Sequence, residues 1–335
     1  MDGIKRIARD FCLICNTAGE IAFNQLKDQL FSAPEKWSLS QCPNCKLIWL
    51  NPYPAEDELG KLYQSYYTHE NIRKNFLSKL VSFFESDVLH SLGYQTSGRA
   101  IVGSIIPFFK EYVALGIMGV KKSWGNKLLD VGCGNGEYLN KMKNLGWEVE
   151  GQETDPKAAQ FANEKYKLKI HVGDLLGTNL PTETFDVVTL NHVIEHVIDP
   201  EKLLSECYRI LKPGGRLVLL TPNVESLGYK LFRQNWRGLE VPRHMAVFSV
   251  SNLGVLVKRA GFAIDKLTSS ARIARYLYST SVHIKEGRSS IGGGGNRGYW
   301  LALKSYLFQA KEEMQKLFND KVGEEIVFVG IKKIE

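Results

Sequence analysis

Three groups of residues have the types and spacing to do chemistry. The first is a pair of short cysteine turns, Cys12-Leu13-Ile14-Cys15 and Cys42-Pro43-Asn44-Cys45, with 26 residues between them. Each turn can present two thiolates to one side of a tetrahedral ion, and two turns complete a four-sulfur zinc site. A closed all-thiolate site folds a domain and leaves no position open for catalysis. A redox reading would need a thioredoxin-like βαβ setting, which these pairs lack. Of the other two cysteines, Cys133 reads as a small loop residue and Cys207 as a helix-core residue, neither a nucleophile.

The second group is the loop Asp130-Val131-Gly132-Cys133-Gly134-Asn135-Gly136 with two acidic residues beyond it. Its glycines permit positive φ and close approach of a ligand to the backbone. The G-x-G-x-G spacing carries no Walker lysine, which disfavours a phosphate loop. The expected ligand is held through a carboxylate and a sugar. Glu153 can accept both hydroxyls of a ribose. Asp174, after Gly173, is placed to accept from an adenine amino group.

The third group is His192, Glu195 and His196, spaced i, i+3, i+4, which on a helix would share one face. In one reading His192 or His196 is a general base and Glu195 orients a ring. In another, the three hold a divalent ion together with a distant histidine such as His244, and imidazole suits a transition metal better than magnesium. In a third, Glu195 and His196 only cap and brace a helix.

These groups need a scaffold, and from Lys127 onward the texture supplies one. Strands are predicted at 127–131, 148–152, 168–172, 185–190 and 216–220, and helices at 137–145, 156–166 and 200–211. This βα alternation predicts an α/β fold with a doubly wound, mostly parallel sheet. The second and third groups then fall at the carboxyl ends of its strands, where such sheets bind ligands. Two more strands are predicted at 262–268 and 325–332. Between them lie the glycine run Gly292–Gly295 and an apolar-rich helix over 300–318, expected to be a mobile lid or a surface-docking helix. Glu56 to Lys122 looks helical and amphipathic, with Leu59, Leu62, Tyr63 and Tyr66, then Phe76, Leu80, Phe83 and Phe84, at helical spacing.

The motifs DVGCGNG, GQETDP, VGDL, FDVVTLNHVIEHVIDP and YRILKPGGRLVLLTPN, in this order over about residues 127–225, resemble those of class I S-adenosylmethionine-dependent methyltransferases. The resemblance implies a Rossmann-like seven-stranded sheet whose last strand, Glu325–Lys332, runs antiparallel. It implies that Asp130, Gly132 and Gly134 line the methionine end of S-adenosylmethionine. Glu153 would bind the ribose, Asp174 and Leu175 the adenine, and Asn191 would lie near the sulfonium. The NPPY-type signature of amino-group methylation is missing. NHVIEH is similar to the E-x-x-E-H metal site of some O-methyltransferases, with His192 in place of the first glutamate. Trp236 to His244 resembles a W-x-G-x-x-x-P-R-H segment of glycan-linked methyltransferases, which implies Trp236 and Arg243 as substrate contacts beside a catalytic His244. The N-terminal cysteines resemble the zinc modules of some sugar C-methyltransferases.

Bulk properties set the outer limits. The 335 residues are 44% hydrophobic and 24% charged, enough apolar material for more than one core, so disorder and collagen are excluded. A net charge of +7 is too mild for a dedicated nucleic-acid binder. It suits an anionic substrate or peripheral contact with a negative membrane surface. The charged opening Met1–Asp10 has no apolar run after it, so a cytoplasmic protein without a secretory leader is expected. The expected organisation is a zinc-ribbon-like module over 1–54, a helical connector over 55–125 and a methyltransferase domain over 126–335, with a substrate loop at 226–250 and an insertion at 285–322. The expected reaction is methyl transfer to a sugar hydroxyl or carbon of a nucleotide sugar or glycan intermediate. The alternatives are a small aromatic or quinone O-methyltransferase, or an RNA- or protein-binding zinc module with a cofactor-sensing domain.

Overall fold

Turns punctuated by proline, glycine and cysteine in the first 54 residues leave room only for short strands. The computed structural model describes residues 3–31, 33–63, 85–96, 107–287 and 296–334. Strands β1 (Arg6–Ile7) and β5 (Tyr53–Pro54) pair antiparallel, and β2 (Glu20–Leu26), β3 (Trp37–Gln41) and β4 (Ile48–Leu50) form an antiparallel meander. That meander is completed by β11 (Ala246–Val247), which pairs with β4 from far along the chain. The cysteine segment and the 226–250 loop therefore share one hydrogen-bonded sheet.

The main sheet has seven strands: β6 (Lys127–Val131), β7 (Glu148–Glu153), β8 (Lys169–Val172), β9 (Phe185–Asn191), β10 (Leu211–Pro222), β12 (Ala263–Ser270) and β13 (Glu325–Ile331). Their order is β12-β13-β10-β9-β6-β7-β8. The pairs among β6 to β10 are parallel, and β13 is antiparallel to both β10 and β12. Chain order reverses between β6 and β9, which opens the crevice where ligands bind in such sheets.

The helices include α1 (Pro107–Leu115), α2 (Glu137–Asn144), α3 (Pro156–Tyr166), α4 (Pro200–Ile210), α5 (Leu227–Phe232), α6 (Val250–Arg259), α7 (Ala274–Lys285) and α8 (Asn296–Lys316). Local chemistry sets their starts. Asp155 and Asp199 accept the backbone N–H of Lys157 and Lys202, each just before a proline at the first helical position. Ser249 and Asn252 form a reciprocal capping box on α6. Gly136 opens α2 at φ +77°, and a Cβ there would lie 2.8 Å from Ala162 and Leu168, so glycine lets the loop seat against α3.

Two expectations differ from the structure, and a third is met in part. Strand β10 begins at Leu211 and carries Pro213-Gly214-Gly215 as a register irregularity instead of a preceding turn. The Glu56–Tyr63 stretch is a 3-10 helix, while Tyr66, Phe76, Leu80, Phe83 and Phe84 lie outside the described residues. The predicted 300–318 helix is α8; the glycine run before it is also outside the described residues. Among the described residues, no helix is long and apolar enough to cross a membrane.

Candidate functional site

The glycine loop leaves β6 and turns at the sheet's carboxyl edge. Gly132 and Gly134 take φ +67° and +52°, and nothing lies within 4 Å of where a Cβ on Gly134 would stand. Glu153, at the end of β7, accepts the Gly134 N–H at 2.7 Å and the Asp155 N–H at 2.9 Å. Gln152 accepts the Gly132 N–H at 3.2 Å and donates to the Gly173 carbonyl, tying the loop to the turn that carries Asp174. Asp174 and Asn191 are exposed at strand ends, while the Leu175 side chain belongs to the core. Asp130 is buried and accepts from the Thr189 hydroxyl at 2.6 Å. Burial, aided by the negative charge of Glu153 and opposed by that hydrogen bond, pushes its carboxyl up to about 7. A cationic ligand group would relieve this stress. The open glycine cradle and the carboxylates around it fit the cofactor implied by the motifs.

The NHVIEH segment does not form the α-helix that would bring its three side chains to one face. His192 sits at φ +56°, and residues Ile194–His196 make a single 3-10 turn. The two histidines consequently part company, each keeping Glu195 as a neighbour. His192 Nδ1 lies 3.1 Å from Glu195 Oε1 and its Nε2 lies 3.5 Å from Glu325 Oε2. Burial works against its charge, but the two carboxylates prevail and raise its pKa to about 9. Glu195 is fully buried, accepts from Thr221, and is held down at about 2 despite its burial by His192 and the other histidines. Glu325 is clamped by Arg272 at 2.9 and 3.1 Å. Thr189, Thr221, Arg272 and Glu325 escaped the sequence reading. Only the charged start of an otherwise apolar strand, Glu324-Glu325-Ile326-Val327-Phe328, signalled the last of them.

His196 turns the other way. Its Nδ1 lies 3.1 Å from the Arg243 carbonyl and 3.1 Å from the Tyr63 hydroxyl, and its ring meets that of His244 edge to face at 4.6 Å. The carbonyl selects the tautomer with hydrogen on Nδ1, leaving Nε2 as a proton acceptor. His244 places Nδ1 2.8 Å from the Gly238 carbonyl, and burial with the neighbouring His196 lowers it to about 4, so it is neutral. Glu195, His196 and His244 bring one donor atom each within 4.8 Å of one another, a group able to hold a divalent ion; His192 is outside that trio.

The two residues expected to contact substrate are placed otherwise. Trp236 is 1% exposed and donates to Glu324 at 2.8 Å, out of reach of a sugar face. Arg243 is fully buried, donating to both oxygens of Asp28 at 2.8 and 3.0 Å and to Glu240 at 3.1 Å. It joins the loop to the cysteine segment.

In that segment all four thiols, Cys12, Cys15, Cys42 and Cys45, lie within 4.8 Å of one another. The two turns are copies. In each, a backbone N–H donates to the first sulfur, and the residue after the second cysteine, Asn16 or Lys46, takes positive φ. Such paired turns fit a tetrahedral ion. Cys133 and Cys207 are buried, and burial raises both thiols, as expected of inert residues.

Residues 107–267 match a family model described as a methyltransferase domain. A mitochondrial ubiquinone biosynthesis O-methyltransferase of Schizosaccharomyces pombe is 41% identical over 106 residues, 29% of this chain and 38% of that protein. A probable S-adenosylmethionine-dependent methyltransferase of Mycolicibacterium smegmatis is 30% identical over 142 residues, 42% of this chain and 53% of that protein. Among solved structures, an S-adenosylmethionine-dependent methyltransferase from Mesorhizobium loti aligns with a TM-score of 0.46 at 17% identity, covering 66% of this chain and 97% of that one. Residues 107–267 are thus similar to a methyltransferase domain, and the chain has the Rossmann-like seven-stranded sheet of that fold with an antiparallel strand β13. The matches span about two fifths to half the length of these two relatives.

Proposed function

We propose that the protein transfers a methyl group from S-adenosylmethionine to the hydroxyl oxygen of a small aromatic or quinol-like acceptor. The observation that carries this reading is the histidine edge at the end of β9, beside the glycine crevice, with the Nε2 of His196 left as a proton acceptor. The names of relatives such as the fission-yeast protein support an aromatic acceptor, whereas the burial of Trp236 and Arg243 removes the side chains that a sugar acceptor was expected to meet.

When bound, S-adenosylmethionine supplies an electrophilic methyl group. Glu153 holds the ribose hydroxyls, Asp174 the adenine edge, and Asp130 and the glycine loop the amino-acid end. His196 takes the acceptor's proton at Nε2, with its ring oriented by the Arg243 carbonyl. His192, already protonated, keeps Glu195 and Glu325 paired and so positions the strand end. Cys12, Cys15, Cys42 and Cys45 hold a structural zinc ion that fixes the two turns against the loop carrying Arg243 and His244. A second reading, a catalytic divalent ion on Glu195, His196 and His244, is favoured by their mutual distance alone.

The test is turnover of methyl-labelled S-adenosylmethionine against catechols, quinols, nucleotide sugars, glycans and RNA, with and without chelator. Label on a phenolic oxygen is expected. Label on a sugar would overturn the acceptor class, and loss of activity to chelator with recovery on added ion, while the four-cysteine zinc stays bound, would replace the histidine base by a metal.

A further inference from the structure

Helix α8 is built with its apolar side outward. Ser305, Phe308, Gln309 and Glu312 are buried against the body, where Phe308 packs with Ala271 and Ala274 and Gln309 donates to the Ala271 carbonyl. On the opposite side, Tyr299, Trp300, Leu303, Leu307 and Met314 follow one another at helical spacing, all exposed, and Phe318 just beyond the helix end continues the row at 92% exposure. A helix of this length runs about 30 Å, so the row forms a long apolar strip and not the scattered exposure ordinary for a soluble surface.

We propose that this face of α8 is a docking surface for a lipid bilayer that carries anionic headgroups. Charge decides the occupant. From residue 298 to the helix end, the exposed charged residues are Lys304 and Lys311, two turns apart on one flank of the strip. Glu313 is half-buried and lies 3.6 Å from Lys316, which also holds Glu111 at 2.9 Å, while Glu312 is on the buried side. Next to the strip, the Arg275 guanidinium stacks 4.5 Å from the Tyr306 ring. An apolar strip with tryptophan and tyrosine, edged by cations, is the composition that settles helices into the headgroup boundary. A second copy of the same face would bring these cations together, whereas anionic lipid neutralises them, in keeping with the chain's net charge of +7. The inference does not depend on the acceptor proposed above.

The experiment mixes the full chain with vesicles of phosphatidylcholine alone or with about a quarter phosphatidylglycerol, read by co-sedimentation and tryptophan emission. Of the six tryptophans, Trp300 alone is exposed, so it reports the strip. Binding at least about tenfold tighter to the anionic vesicles is expected, with a blue shift that salt reverses. Leu303→Ser with Leu307→Ser, and separately Lys304→Glu with Lys311→Glu, should each weaken binding by about tenfold or more while S-adenosylhomocysteine binding, which reports the fold, is unchanged. The proposal is overturned by equal binding of wild type and variants, by no binding to anionic vesicles, or by a dimer in ultracentrifugation that the leucine variant dissolves. The last result would assign the face to a second copy.

Discussion

Glu195 and Glu325 are each fully buried, and between them stands a single imidazole. His192 is thus a cation on neutral-pH terms and cannot accept a proton, although its place in the motif suits a base. The linkage has a definite sign. A pKa raised from 6.5 to about 9 contributes stability that is full below pH 6.5 and is lost as pH rises through 9. Wild-type stability in denaturant titrations should fall over that window, and His192→Gln should remove this dependence while lowering stability at pH 7. For catalysis the weight moves to His196. His196→Gln should cut turnover by about 10²–10⁴-fold with cofactor binding retained, the scale of a lost general base. Unchanged turnover would leave positioning as the source of rate. At this scale the sequence shows that the acidic and glycine residues proposed for the crevice lie at or just beyond strand ends. It did not hold the division of labour between the two histidines. That depends on one left-handed residue at position 192 and on a glutamate more than a hundred residues away.

At the scale of elements, the motif-bearing strands and helices were legible because local signals agree there: proline after an aspartate cap, alternating apolar runs, glycine at the turn. The 226–250 segment was not legible in the same way. Its polar residues read as a ligand-facing loop, but Arg243 and Trp236 spend their hydrogen bonds on Asp28, Glu240 and Glu324, partners that only the tertiary fold brings near. Arg243→Met should therefore act on stability. Leaving the Asp28 carboxylate buried with no counter-charge, held only by the backbone N–H groups of Leu30, Phe31 and Ala33, should cost about 3–5 kcal/mol in denaturant unfolding. Helix α8 holds the opposite case. Glu312 is buried with no hydrogen-bond partner for either oxygen, and burial beside Glu324 pushes it up to about 10. It folds protonated, so its contribution is full below its ordinary pKa and declines as pH rises towards 10. Glu312→Gln, which keeps the shape and carries no proton to lose, should raise Tm at pH 8 more than at pH 5.

At the scale of the whole molecule, strand β11 matters most, since it makes the cysteine segment and the loop at His244 one sheet. This coupling could not be read from a sequence in which the two parts lie some two hundred residues apart. If four thiolates hold one ion, elemental analysis should give about one zinc per chain, and Cys12→Ser should lower it. Chelation should then speed hydrogen exchange at Ala246 and Val247 before it affects β6 or β7. Exchange that rises uniformly would mean that the ion supports the fold as a whole and not this seam.

The central claim is that the crevice at the ends of β6 and β7 binds S-adenosylmethionine. Calorimetric titration of the full chain with S-adenosylhomocysteine, wild type against Glu153→Ala, tests it most directly. The account predicts one site per chain in the wild type and a loss of about 1.5–3 kcal/mol in the variant, the scale of hydrogen bonds to a charged group. No saturable heat from the wild type, or equal affinity in both proteins, would contradict it.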